Sequence, residues 1–266
     1  MKLSETLLQN IIQLAIKAGK TILEYYQKTD DVLVTLKADK TPLTQADLAA
    51  HQIIKKELQR LTPQIPILSE EGHNIPFAER NPWQQYWLID PLDGTKEFIH
   101  RTDEFTVNIA LIENHQVILG VVYAPVFNLC YFAMRNHGAY KLAHEKNVQQ
   151  IFSRKLHEPM VIAVSRRHGS EKMHAYLAKI KSYELINKGS SLKSCLVAEG
   201  SADIYPRFGK TSEWDTAAAQ CIVEEAGGEI FDNEFKPLRY NTKASLINPE
   251  FFVVGDPTHD WRQYLL

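Results

Sequence analysis

The chain is poor in cysteine, glycine, proline and net charge, and each shortage narrows what it can be. Three cysteines occur, Cys130, Cys195 and Cys221. No two form a Cys-x-x-Cys pair, so neither a disulfide framework nor a zinc site is expected, and a reducing cytoplasm fits best. Glycine and proline number 12 each in 266 residues, too few for a fibrous or low-complexity protein. The 30 Lys and Arg nearly balance the 32 Asp and Glu, leaving a net charge of −2. That balance argues against a broad nucleic-acid surface, and no aromatic–basic array offers one. Met1-Lys2-Leu3-Ser4-Glu5 has no uninterrupted apolar run and no small-residue cleavage site, so no signal peptide is expected. Residues 117–134 carry no charge and approach the length of a membrane span. Gly120 and Pro125 interrupt them, and Ala124-Pro125-Val126-Phe127-Asn128 reads as a turn. A buried β-hairpin is expected there, not a transmembrane segment.

What is present is an ordinary globular composition. Hydrophobic residues are 44% and charged residues 23%, which excludes a disordered chain. The length suits one large domain or two small ones. Residues 4–27 have apolar side chains at helical spacing, among them Leu7, Leu8, Ile11, Ile12, Ala15 and Ile22. A short β-like run follows at Val32-Leu33-Val34. A second helix is expected over residues 44–61, with Leu48, Ile54, Leu58 and Leu61 facing the core. Trp87-Leu88-Ile89 reads as a short strand. Residues 106–112, 117–123 and 129–134 read as an antiparallel meander. From Val161 onward, short strands alternate with helices over residues 170–180, 191–199 and 215–226. The expected domains are 1–155, an α+β unit with the antiparallel sheet, and 156–266, an α/β unit, sharing an extensive interface.

The most informative segment is Asp90-Pro91-Leu92-Asp93-Gly94-Thr95. Two carboxylates flank a proline-stiffened turn at a strand end, and Gly94 lets the backbone approach a ligand. A helix starting near Thr95 would add free N–H groups for an anion. Hard oxygen ligands beside a phosphate cradle suit Mg²⁺. The same residues also fit a type I turn with Asp as helix cap. Ser69-Glu70-Glu71-Gly72 and Trp214-Asp215 supply more acids. If Glu70, Asp90, Asp93 and Asp215 converge, they bring a charge of −4 into one cleft. Like charges that close force protonation unless countered, and two divalent cations would counter them. Thr44-Gln45-Ala46-Asp47 has the form of a helix capping box. His51, His73 and His100 have no evident partner and read as surface or capping histidines.

Asp90-Pro91-Leu92-Asp93-Gly94-Thr95, Ser69-Glu70-Glu71 and Trp214-Asp215-Thr216-Ala217-Ala218 together resemble the signature set of the inositol monophosphatase superfamily. Order and spacing agree over nearly the whole chain. The resemblance implies a layered αβαβα sandwich and a lithium-sensitive, Mg²⁺-dependent phosphatase. It implies that Glu70, Asp90 and the Leu92 carbonyl hold one Mg²⁺, and that Asp90, Asp93 and Asp215 hold a second. A third, weaker site would involve Asp47 through water. It further implies that Thr95, hydrogen-bonded to Asp47 and assisted by Glu70, orients and deprotonates the attacking water. No covalent phospho-enzyme is expected.

The second half is similar to the bacterial 3'(2'),5'-bisphosphate nucleotidase (CysQ-type) subgroup. The matching residues are Gly189-Ser190-Ser191-Leu192-Lys193-Ser194-Cys195-Leu196, Ala202-Asp203-Ile204-Tyr205-Pro206-Arg207-Phe208-Gly209 and Lys37-Ala38-Asp39-Lys40-Thr41-Pro42-Leu43-Thr44. That subgroup removes the 3'-phosphate of adenosine 3',5'-bisphosphate, supporting sulfur assimilation and nucleotide recycling. Ser190, Ser191, Lys193 and Arg207 are the candidates for the second phosphate or base. Glu70, Leu92, Asp93, Gly94, Thr95 and Asp215 would surround the phosphate that leaves. Ser165-Arg166-Arg167-His168 either lines the nucleotide pocket or is a solvated basic loop. Alternatives are an inositol or sugar monophosphatase with the same metal core, and a non-catalytic nucleotide-bisphosphate sensor. A monomer or homodimer is expected, cytoplasmic and, by resemblance alone, peripheral on the cytoplasmic face of the inner membrane.

Overall fold

The structure is a computed structural model and describes residues 3–28, 34–36, 42–143, 147–166 and 170–264. Helix α1 (Glu5–Tyr26) begins after Ser4, whose side chain accepts from the Leu7 N–H. Its buried stripe follows the spacing read from the sequence. Strands β1 (Val34–Leu36) and β2 (Pro42–Thr44) pair antiparallel. Val32, Leu33 and residues 37–41 lie outside the described residues. Helix α2 (Gln45–Leu61) buries Ala46, Ala50, Ile54 and Leu58, one row of residues four apart. Leu48 lies off that row and is only half-buried, which corrects its assignment to the core. Two alanines, weak in any hydrophobicity count, carry the face instead.

The chain continues through β3 (Ile67–Ser69), α3 (Phe77–Arg80), β4 (Gln85–Asp93), α4 (Thr95–Ile99), β5 (Thr106–Glu113), β6 (Gln116–Ala124), β7 (Leu129–Met134), β8 (Ala139–Ala143) and β9 (Asn147–Ile151). Strands β3 to β9 form a seven-stranded sheet in sequence order. Every pairing is antiparallel except β3 with β4. The uncharged stretch at 117–134 is the β6–β7 hairpin. Among the described residues no helix is long and apolar enough to cross a membrane. The sheet is larger than the expected meander. Strand β4 outruns Trp87-Leu88-Ile89 at both ends, and β8 and β9 extend the far edge. Strand β9 exposes four of its five residues, so it has no buried face to give an alternating pattern.

The second half comprises β10 (Met160–Val164), α5 (Glu171–Leu177), β11 (Tyr183–Asn187), α6 (Leu192–Ala198), β12 (Ile204–Arg207), α7 (Glu213–Glu225), β13 (Glu229–Asp232) and β14 (Phe251–Val254). Its five-stranded sheet has the order β11-β10-β12-β14-β13.

Side-chain alternation sorts these elements into five layers. Trp87, Ile89, Val107, Ile109 and Leu111 pack with α1 and α2. Their strand neighbours Tyr86, Leu88, Ala110 and Ile112 face the opposite way. There they pack with Leu192 and Cys195 of α6, Ala217 to Ala219 of α7, and Ile230 and Val253 of the second sheet. The far face of that sheet, with Ile162, Ile204 and Val254, meets Met173, Tyr176 and Leu177 of α5. The result is an αβαβα sandwich. Helix α7 is thus sandwiched between the sheets and packs tightly on Gly120. A Cβ there would stand 2.9 Å from both Ala218 C and Cys221 Cβ, and closer still to Ala218 O. That contact seats α7 against β6 and fixes where its first turn, with Asp215, points.

Candidate active site

Strands β3 and β4 run parallel with Ser69 beside Ile89. The next residues, Glu70 and Asp90, therefore emerge side by side. On the other flank of β4, Asp90 pairs with Asn108 but Asp93 pairs with Thr106. Three steps on β4 answer two on β5, which is a β-bulge. In a regular strand, residues three apart face opposite sides. The extra residue cancels that, so both carboxylates serve the same cleft. Gly94 follows at φ 95°, a left-handed turn that suits glycine and starts the short helix α4.

Asp215 arrives from the second half. It is the third residue of α7, which starts one residue before Trp214 and is capped by Ser212. Ser212 N–H donates to Asp215 Oδ2 at 3.0 Å. Carboxylate oxygens of Glu70, Asp90 and Asp215 lie within 4.8 Å of one another. Asp93 stands outside this tightest set. Its Oδ2 accepts from the Ser191 backbone N–H and from Ser191 Oγ, each at 2.7 Å, and from Asn108 Nδ2 at 3.3 Å.

Burial, and then the charges of Glu70, Asp93, Asp215 and Asp47, hold the Asp90 carboxyl well above its ordinary value. Burial and Asp93 do the same for Asp215. These acids cannot all ionise in their own company. Hard oxygen donors that need positive charge fit a divalent cation such as Mg²⁺.

Asp47 makes two sets of contacts. Its Oδ2 accepts the Thr44 N–H at 2.8 Å, closing the capping box. Its Oδ1 accepts from Thr95 Oγ1 at 3.2 Å. Asp47 is 1% exposed and Thr95 is half-buried, so the carboxylate end of the pair is shielded from bulk water. Thr95 Oγ1 also lies 3.5 Å from Leu92 O, and the Leu92 N–H donates to Asp90 Oδ1 at 3.0 Å.

Above the acids opens a cleft of about 500 Å³ whose lining includes Asp93, Gly94, Arg166, Lys193, Arg207 and Asp215. The candidate substrate contacts Ser190, Ser191, Lys193 and Arg207 all line this cleft. Ser191 is buried, and its hydroxyl donates to Asp93 Oδ2 at 2.7 Å, with Asp215 O 2.9 Å away. It thus braces the acids from the cleft wall. Ser190 stands at φ 44°, and its Oγ is buried without a hydrogen bond among the described residues. Lys193 is buried, with Nζ donating to Ser190 O at 2.6 Å and Lys188 O at 3.3 Å. Burial pulls its ammonium down to about 8, against the opposing pull of Asp93. Its Nζ lies 5.3 Å from the Tyr205 ring centroid. Arg207 donates to Gly209 O and Lys210 O, both at 3.1 Å. Arg167 and His168 lie outside the described residues.

Two features escaped the sequence reading. Asn108 bridges Asp93 and Ser191 Oγ, the latter at 2.8 Å. One polar residue inside the apolar run of β5 was the available signal. His51 is buried, and its Nδ1 lies 2.9 Å from Ser69 Oγ. This corrects its reading as a surface or capping histidine and ties α2 to the strand end that presents Glu70. Burial lowers its pKa.

The comparisons with known proteins agree with this architecture. The profile described as "Inositol monophosphatase family" matches residues 3–257. The 3'(2'),5'-bisphosphate nucleotidase CysQ of Haemophilus influenzae is 44% identical, covering 98% of this chain and 97% of that protein. The protein of the same name from Escherichia coli K12 is 46% identical, covering 93% and 99%. Among solved structures, CysQ from Bacteroides thetaiotaomicron superposes with a TM-score of 0.83 at 40% identity, covering 94% of this chain and 97% of that one. The chain belongs to the inositol monophosphatase family.

Proposed function

We propose that the protein is a Mg²⁺-dependent phosphomonoester hydrolase that removes the 3'-phosphate of adenosine 3',5'-bisphosphate to give AMP and phosphate. The observation that carries this reading is the pairing of a carboxylate cluster with a cation-lined cleft. This is set in a chain 44–47% identical, over nearly its full length, to proteins named 3'(2'),5'-bisphosphate nucleotidases.

Glu70, Asp90 and the Leu92 carbonyl would hold one Mg²⁺, and Asp90, Asp93 and Asp215 a second. Asp47 would serve a weaker third site through water. When bound, the ions supply Lewis-acid stabilisation of the phosphoryl oxygens and lower the pKa of water nearby. The chain's own residues do the rest. Thr95 Oγ1, fixed by its hydrogen bond to Asp47 Oδ1, orients the attacking water and passes its proton toward Asp47 or Glu70. Backbone N–H groups of Gly94 and Thr95 face the charge that builds on the phosphorus oxygens. Lys193, which also donates to Ser190 O, and Arg207 line the cleft and would meet the second anionic group.

Phosphate release should be measured over a panel holding adenosine 3',5'-bisphosphate and inositol 1-phosphate, with Mg²⁺ titrated and Li⁺ added. Preferential hydrolysis of the bisphosphate, dependent on Mg²⁺, supports the reading. Preference for inositol 1-phosphate would favour the monophosphatase alternative. No hydrolysis of any ester would favour a binding protein.

A further inference from the structure

Glu104 is a buried acid that the chemistry above leaves unused. It lies between α4 and β5 and is 3% exposed. Its carboxylate accepts four hydrogen bonds. They come from Arg166 Nε at 3.0 Å, Arg166 Nη2 at 2.8 Å, Lys188 Nζ at 3.2 Å and the Gly189 backbone N–H at 2.9 Å. Burial pushes its carboxyl up, but the bonds from Arg166 and Lys188 outweigh that and hold it below its ordinary value. Glu104 is therefore ionised at neutral pH. It ties together the residues that follow β10 and β11 and the turn that leads into α6. The backbones pack equally closely: a Cβ on Gly189 would stand 2.7 Å from Glu104 O.

This knot sits directly behind the cleft wall. Arg166 and Gly189 line the cleft, and Glu104 does not. The Arg166 side chain is 49% exposed. Its Nε–Nη2 edge is spent on Glu104, and Nη1 makes no hydrogen bond among the described residues. Glu104, shared with Lys188, offsets only part of the guanidinium charge, but it occupies the edge that would grip a phosphate in two-point fashion. The guanidinium keeps its flat faces, which stack on planar rings. The fixed edge also means that little rotamer freedom is lost on stacking.

We propose that Arg166 is the specificity-determining contact for the planar base of the nucleotide, and that Glu104 is the positioning residue that holds it flat against the cleft while fixing the Gly189 turn. The proposal rests on the nucleotide substrate argued above.

The test compares kcat and KM for adenosine 3',5'-bisphosphate with those for a base-free analogue, methyl ribofuranoside 3,5-bisphosphate. The enzymes are wild type, Arg166→Ala, Glu104→Gln and the double variant, each checked for folding by its melting temperature. Arg166→Ala should raise KM for the adenosine compound by about tenfold or more, the range for losing one base-stacking contact. The base-free KM should not move. Glu104→Gln keeps an acceptor for the Gly189 N–H but weakens the hold on Arg166, so it should show the same substrate-selective rise. The double variant should be no worse than Arg166→Ala alone. An equal KM rise for both compounds would place Arg166 on a phosphate and overturn the proposal. So would additive effects, or unchanged KM values. If Glu104→Gln does not fold, Arg166→Ala, a change at a half-exposed side chain, decides alone. If wild type fails to hydrolyse the adenosine compound, the substrate reading itself has failed, and that result is distinct from the others.

Discussion

Replacing Ser191 with alanine separates two accounts of the same residue. As a substrate contact, its hydroxyl would meet an anion. In the structure it donates to Asp93 Oδ2 at 2.7 Å and accepts from Asn108 at 2.8 Å. The backbone N–H of Ser191 also holds Asp93 and survives the substitution. A hydrogen bond to a charged group contributes about 1.5–3 kcal/mol. Losing an outer partner of a metal ligand costs about 10–100-fold in metal affinity. With one of the two Ser191 bonds retained, the lower end applies. The Mg²⁺ concentration for half-maximal activity should rise about tenfold. At saturating Mg²⁺, kcat should largely recover and KM for the bisphosphate should stay at its wild-type value. The assay is phosphate release over a Mg²⁺ titration at several substrate concentrations. An unchanged Mg²⁺ requirement with a raised KM would refute the reasoning and return Ser191 to the substrate.

Removing the metal should reverse the usual acid sensitivity near the site. Asp90 and Asp215 have carboxyls raised in the folded state, so the folded protein binds their protons more tightly than the unfolded chain does. Their contribution is most favourable below the unfolded value near 3.8 and is lost as pH rises toward the folded value. In chelator, Tm should therefore rise as pH falls from neutral into the mildly acid range, and saturating Mg²⁺ should flatten that trend. A chelator-independent pH profile would count against the cluster. Thr95→Ala should lower kcat by about 10²–10⁴-fold, the span of general acid–base catalysis, with Tm almost unchanged; retained turnover would remove Thr95 from the proton path. Lys193→Met should both raise KM and lower stability by about 1–3 kcal/mol, because two carbonyls lose their buried donor. A raised KM with unchanged stability in denaturant titrations would show that Lys193 reaches the substrate rather than the loop.

Much of this was legible because each signal had one physical source. An unbroken apolar stripe marked α1, and the uncharged run broken by Pro125 gave the β6–β7 hairpin. The acids stood out through three acidic motifs taken together, since the Asp90–Thr95 turn alone also fits a helix cap. What stayed hidden depended on register or on tertiary partners. The bulge between Asp90 and Asp93 exists only relative to β5. Leu48 outranks Ala46 in hydrophobicity, yet the helix buries the alanine row. Ser191 and Lys193 suit anions by type and line the cleft, but their bonds to Asp93 and to the turn's own carbonyls depend on tertiary placement. Glu104 carried no periodic signal, since its partners lie more than sixty residues away.

The most direct measurement is the ratio of kcat/KM for adenosine 3',5'-bisphosphate to that for inositol 1-phosphate, with and without Mg²⁺. A site built around a second charged group rejects an analogue lacking it by up to about 10⁴-fold. The account predicts a large preference for the bisphosphate that vanishes, with all turnover, when Mg²⁺ is chelated. Preference for inositol 1-phosphate, or hydrolysis that persists without a divalent cation, would contradict it.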